Sequence, residues 1–280
     1  MKNSINPIRR NIKACFALFR IRTMEAVQYR AAALASVSIG VFWALIELTV
    51  FTVFYTYADN RAAVPLDFRQ ILVYVWLGQV LHGLLPYNID GELLTKILNG
   101  DVGVELCRPL DLYFHWYAKS AAGRLGGFWW RGIITLAIGC VIPVAGMRLP
   151  PPASAAGFAL FLLSVLTLFL LSNAYAMLIT SIRVSITWGE GPTSLFMLIG
   201  GVLSGAYLPL PLWPDSMQTF LFVQPFAGQL DLPVRLYNGA IQPGGAAAVF
   251  ALQLGWTLVF IVAGRLVLRG KLTKIIIQGG

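Results

Sequence analysis

The sequence predicts an all-α integral membrane protein with about six transmembrane helices, and three observations carry that expectation. Hydrophobic residues make up 58% of the 280 and charged ones only 12%, against roughly 25% charged residues in a soluble domain. Several apolar runs reach or approach the roughly 20 residues that cross a hydrocarbon core. The cations are shared unevenly between alternate loops, as they are in multi-pass proteins.

The formal charge is +9, but Lys and Arg stand beside apolar runs instead of covering a polar surface, so the expected partners are membrane lipids and not nucleic acid. Cys15, Cys107 and Cys140 are widely spaced with no CxxC pair. They suggest neither a disulfide framework nor a zinc site, and read as packing residues. The first apolar run begins near Ala31, too far in and too long for a cleavable signal, and is expected to stay as an anchor.

Taken in order, the chain first predicts an interfacial helix over 6–30. Asn6 suits the N-cap and Pro7 the first helical position. Ile8, Ile12, Cys15, Phe16 and Phe19 then share one face and Arg9, Lys13 and Arg20 another, the pattern of an amphipathic helix lying among headgroups. Spans are expected at Ala31–Tyr57, Ile71–Ile89, Phe128–Val144, Gly157–Ile182, Leu195–Leu212 and Ala246–Leu268. The third can begin earlier, because Leu112–Gly127 is rich in aromatic and small residues despite Lys119 and Arg124. With these spans, seventeen Lys and Arg fall on one side and only Arg61, Arg69, Arg148 and Arg235 on the other. The positive-inside rule puts both termini and the 90–125 loop in the cytoplasm. No repeat, linker or long polar stretch divides the chain, so residues 1–280 form a single membrane domain.

The 90–110 loop has its own pattern. Asp90 can cap a short helix, Glu92 suits its positive end and Gly100 its stop, while Leu93, Leu94, Ile97 and Leu98 make an apolar face. Such a helix either packs on the protein's own surface or docks into a partner, and spacing leaves both open. Farther on, residues 207–239 are Pro-rich and amphipathic, with Met217, Phe220, Leu221 and Phe226 able to dip into the bilayer.

Inside the spans Glu47 stands out, since a carboxylate in hydrocarbon costs at least a few kcal/mol. It either bonds a neighbouring helix or attracts a cationic substrate or proton, and structural pairing is the plainer reading. Arg131 and Arg183 are expected to snorkel to an interface. His82 and His115 have no metal-ligand spacing, so no metal site is expected. No catalytic residues are assigned, because a membrane-embedded lipid-modifying enzyme needs a convergent set of acids, histidines or metal ligands. The stretch Gly264–Leu272 has five residues between its glycines and lacks the Ser or Thr of a phosphate-binding loop, so this chain has no ATP site of its own.

Two stretches carry a family resemblance. Leu93-Leu-Thr-Lys-Ile-Leu-Asn-Gly-Asp-Val-Gly103, continuing to Leu106-Cys-Arg-Pro-Leu-Asp111, and Ser204-Gly-Ala-Tyr-Leu-Pro-Leu-Pro-Leu-Trp-Pro214, followed by Phe222-Val-Gln-Pro-Phe226, resemble the corresponding regions of ABC-2 type permeases. The likeness is to the bacterial paired-permease branch that exports viologens and drugs. It implies a coupling helix over 90–110, with Asp90, Gly91, Glu92, Lys96, Gly100, Asp101 and Arg108 facing an ATP-binding cassette ATPase. It also implies an outer re-entrant gate over 207–239 and a substrate path past Glu47, Tyr207, Phe220 and Phe226. The expected assembly holds a second permease copy or a paralogue and two ATPase subunits, which supply ATP and Mg, in the bacterial inner membrane. The expected function is export of a small amphiphilic or drug-like substrate. An ion-coupled secondary transporter is the alternative, although it calls for more intramembrane ionisable groups than Glu47 alone.

Overall fold

The computed structural model describes residues 30–57, 64–86, 91–99, 111–144, 146–184 and 191–272, together with Phe16, Ala17, Arg20, Ile21, Met24 and Gly103. The expected interfacial helix over 6–30 therefore lies largely outside the described residues, as do Asp90, Gly100, Asp101 and Arg108.

Every regular element among the described residues is helical. The helices are α1 (Arg30–Tyr57), α2 (Phe68–Leu81), α3 (Gly91–Leu98), α4 (Leu112–Val141), α5 (Ala155–Arg183), α6 (Gly191–Leu203), α7 (Asp215–Val223), α8 (Asp231–Asn238) and α9 (Ala246–Leu272). Three stretches are long and apolar enough to cross a membrane: Leu34–Tyr57, Ala155–Arg183 and Pro243–Gly270.

The remaining expected spans differ in extent, and local chemistry says why. The second was expected over Ile71–Ile89. Its helix instead starts at Phe68 on a capping box, where Asp67 accepts from the Gln70 amide and the Gln70 side chain accepts from the Asp67 amide. It then tightens to a 3-10 turn at His82–Leu84, and Leu85 turns extended with ψ 151°. Leu85 precedes Pro86, whose ring disfavours the helical conformation of its neighbour. The third, expected over Phe128–Val144, begins at Leu112 under an Asp111 cap and ends at Val141, ahead of the extended Ile142 that precedes Pro143. The fifth, expected over Leu195–Leu212, ends at Leu203, where Gly205 takes φ +86°.

α5 and α9 pack along each other and are stitched by one amide. The Gln253 Nε2 donates to the Ser164 hydroxyl at 2.9 Å and to the Gly228 carbonyl at 2.8 Å, and its Oε1 accepts from the Thr167 hydroxyl. Away from water such bonds hold neighbouring helices at about 0.6–2 kcal/mol each. A second group joins α1, α2 and α4, centred on the fully buried Trp76. Between the two groups lies α8, packed on both α5 and α2.

The chain that leads into α8 is unusual in its depth. Gly228 sits against Leu171 and Gln253, and Leu171 lies roughly 24 Å along α5 from Ala155 at 1.5 Å per residue. Residues 226–239 then climb back along α5. Phe226 stacks edge-on against Tyr175, the Leu236 carbonyl lies 2.8 Å from where a Gly157 side chain would start, and the Tyr237 carbonyl accepts from the Ala153 amide at 3.0 Å. Only a glycine at 157 lets the α8 backbone come this close. This stretch is covered by protein: Pro225, Ala227, Gly228, Gln229 and most of α8 are buried.

Candidate functional site

A cleft of about 750 Å3 opens between α1, α2, α4, α6 and the segment after α6. One face of α1 lines it at helical spacing with Ser36, Gly40, Trp43, Glu47 and Phe51. Tyr74, Gly78, Gln79 and His82 come from α2 and its 3-10 extension, Arg131 from α4, Ser194 and Met197 from α6, and Tyr207 and Pro209 from beyond it.

Two charges of opposite sign face this space. Glu47 is half-buried and no described residue hydrogen-bonds or pairs with it. Four aromatic residues share the lining with it: Trp43 and Phe51, one turn to either side on α1, and Tyr74 and Tyr207. Rings around a carboxylate make a site for a flat or lipophilic cation, attracted by charge and by the ring faces together. Arg131 lies against the α1 backbone, its Nη2 3.2 Å from the position of a Gly40 side chain with the Gln79 Oε1 at 3.3 Å. Gly40 and Glu47 are two helical turns apart, roughly 10 Å along the axis. The cleft thus carries a cation, Arg131, at the level of Gly40 and a carboxylate, Glu47, two turns farther along α1.

Of the residues expected on a substrate path, Glu47 and Tyr207 line the cleft. Phe220 and Phe226 stand elsewhere: Phe220 is exposed, and Phe226 packs on Tyr175 and Gly200. Arg131, expected to snorkel to an interface, lines the cleft. Tyr74 also went unnoticed as an ordinary span aromatic, yet its hydroxyl donates to Asp231 at the head of α8. Asp231 pairs with Arg235 at 2.7 Å, and the Arg235 guanidinium rests 4.5 Å over the Phe222 ring. Burial pushes the Asp231 carboxyl above the ordinary carboxylate range, opposed by the Arg235 charge and the Tyr74 hydrogen bond. An acid and a base four apart in an apolar stretch was the sequence signal for this pair.

Of the segment expected over 90–110, the described part is chiefly the short helix α3 over Gly91–Leu98. Leu93 is buried with Leu112, Tyr113, Trp116, Met177 and Leu268, so α3 is seated on the joined ends of α4, α5 and α9. Gly91 is exposed and has open space around its α-carbon. Glu92 bridges Lys96 at 3.3 Å and Lys119 of α4 at 2.5 Å. The Lys119 side chain is only 6% exposed, whereas that of Glu92 is 46% exposed. Glu92 is therefore the described partner that makes burial of Lys119 tolerable. Glu92→Ala is expected to cost about 1–2 kcal/mol by leaving that ammonium unmatched, seen as a melting point lower by a few degrees. Lys96→Ala, which leaves the bridge to Lys119 in place, is expected to change it by less than one degree.

No cluster of metal-binding side chains occurs among the described residues. No family model, no curated protein and no solved structure matches this chain.

Proposed function

We propose that this chain is the permease half of an ATP-driven exporter, spanning a bacterial inner membrane six times with both termini in the cytoplasm. It pairs with a second copy or a paralogous permease and is driven by two ATP-binding cassette subunits that hold ATP and Mg. The cargo is a small amphiphilic or drug-like molecule taken from the cytoplasm or inner leaflet. The observation that carries this reading is the cleft: a space large enough for a drug-sized ligand, between apolar helices, with Glu47, with which no described residue pairs, on its wall. The asymmetry of Lys and Arg supports the orientation, which puts α3 where an ATPase can reach it. The chain 207–239 would then be the outer gate, its deep turn at Gln224–Leu230 inserted between α5 and α9.

Uptake into inverted membrane vesicles tests the reading. Glu47→Gln is expected to lower ATP-dependent uptake of a lipophilic cation about tenfold, the worth of one charged interaction in a protected site. Uptake of a neutral analogue is expected to stay within twofold. Equal losses for both would remove Glu47 from the substrate path.

One observation favours a second reading. Glu47, His82 and Arg131 share the cleft, and intramembrane ionisable groups beside interrupted helices are also what an ion-coupled transporter uses. Uptake that follows an imposed proton gradient without nucleotide would select it.

A further inference from the structure

The far end of α9 holds a recess unrelated to the cleft. It measures about 330 Å3 and is lined by Asp111, Leu112, Tyr113, Arg265, Leu268 and Arg269. Its level in the bilayer follows from length. The apolar stretch runs Pro243–Gly270, and Arg265 lies roughly 33 Å from its start at 1.5 Å per residue. A span that starts at Pro243 leaves a roughly 30 Å hydrocarbon core just there. The recess therefore stands at the height of lipid phosphates, whichever side of the membrane it faces.

Its polar groups are incompletely used. Arg265 Nη2 donates to Asp111 Oδ2 at 2.6 Å, and its guanidinium lies 5.2 Å over the Phe114 ring. Asp111 is itself held by capping α4, where Oδ1 accepts from the Phe114 amide at 3.1 Å. The Arg265 side chain is fixed in this way yet remains 51% exposed, with further N–H groups beyond the one given to Asp111. Arg269, one turn on, is exposed and no described residue pairs with it. Tyr113 is 2% exposed and its hydroxyl has no hydrogen-bond partner among the described residues. That hydroxyl reaches α9 beside Arg265, 3.1 Å from where a Gly264 side chain would start. Two guanidinium groups against one carboxylate leave the recess positive, and Lys271 and Lys274 follow in the sequence. Val262 and Leu266, on the same stretch of α9, are exposed apolar side chains on which acyl chains can lie.

We propose that Arg265, Arg269 and the Tyr113 hydroxyl form a binding site for the phosphate of an anionic lipid headgroup. A phosphate diester offers acceptor oxygens to both guanidinium groups, and charge-assisted bonds of this kind are the strong ones. Clusters of basic residues at the end of a span recognise anionic lipids by the same attraction. The Tyr113 hydroxyl supplies the one neutral donor, which a bulk attraction to the membrane surface would not require. The lipid would bridge α4 and α9 where Leu268 and Tyr113 also seat Leu93 of α3, so its presence would stiffen the platform under that helix. This site needs only that α9 spans a membrane, and does not depend on the export reading.

The experiment is native mass spectrometry of the full chain in mild detergent, with phosphatidylglycerol or phosphatidylcholine of equal chain length added. The wild-type protein is expected to retain phosphatidylglycerol in preference. Arg269→Gln, an exposed change with no structural partner to lose, is expected to reduce that preference about fivefold, the weight of one basic residue at a membrane surface. Tyr113→Phe is expected to reduce it at least twofold. Arg148→Gln, on a cation outside the recess, is expected to leave it unchanged. Equal retention of both lipids, an unchanged Arg269→Gln protein, or an equal effect of Arg148→Gln would overturn the site. Displacement of phosphatidylglycerol by millimolar inorganic phosphate would also overturn it, by making it a free-anion site.

Discussion

Asp231→Ala is expected to destabilise the protein by about 3–5 kcal/mol, the cost of leaving one member of a buried ion pair without its partner. Asp231 is fully buried and Arg235 is 11% exposed in its side chain. The carboxylate is shared: one oxygen accepts from the Tyr74 hydroxyl, the other meets Arg235 Nε at 2.7 Å. Truncation strands the guanidinium against the Phe222 ring and frees the Tyr74 hydroxyl in a water-poor space. The melting point in detergent is expected to fall by roughly ten degrees. Asp231→Asn keeps an oxygen for Tyr74 and loses only the charge, so its effect is expected to be smaller. Replacing Asp231 by Leu together with Arg235 by Met is expected to recover most of the loss, because a matched apolar pair has no charge to desolvate. If Asp231→Ala melted with the wild-type protein, the pair would be irrelevant to the seating of α8. Tyr74 gives the pair a further meaning, since the same side chain lines the cleft and holds α8. Movement of α8 cannot leave that wall of the cleft undisturbed.

Trp76→Ala is expected to cost a similar amount, about 3–5 kcal/mol, by opening a large cavity at the centre of the α1, α2 and α4 group. Trp76 is completely buried. Its indole donates to the Met147 carbonyl at 2.8 Å, and its ring faces Gly139, where an added side-chain carbon would come within 2.9 Å. The ring therefore fills a slot that α4 leaves open by having glycine there. Gly139→Val fills the slot from the other side and is expected to cost about 1–3 kcal/mol through overpacking. Thermal unfolding of both variants checks the interpretation. A stable Gly139→Val protein would show that α2 and α4 can separate freely at this level.

How far the sequence could be read depended on what each signal measures. α1, α5 and α9 were legible because their apolar runs are long, while the Ser154 cap that starts α5 went unread. α2 came out too long although Leu85-Pro86 marked its end, since apolar content outweighed the proline. α4 was drawn from Phe128 with an earlier start in Leu112–Gly127 left open, because Lys119 and Arg124 counted against a span, and the helix starts at Leu112. The fold resolves Lys119 by pairing it with Glu92, a partner in another helix that no local pattern shows. The same limit hid the cleft. Glu47 was visible alone as a charge in an apolar run. That Arg131 and His82 face the same space depends on how α1, α2 and α4 are arranged, and periodicity says nothing about that. The Asp231–Arg235 pair was legible in principle from its spacing, and was passed over because Arg235 was counted only as a loop cation.

The most direct test of the proposed export function is to isolate the full chain from its native membrane together with any ATP-binding cassette subunit that accompanies it, and to reconstitute both in vesicles. A lipophilic cation is predicted to stimulate ATP hydrolysis and to accumulate only when ATP is supplied, with Glu47→Gln weakening both together. Accumulation driven by a proton gradient, indifferent to ATP and unaffected by removing the ATPase, would contradict it.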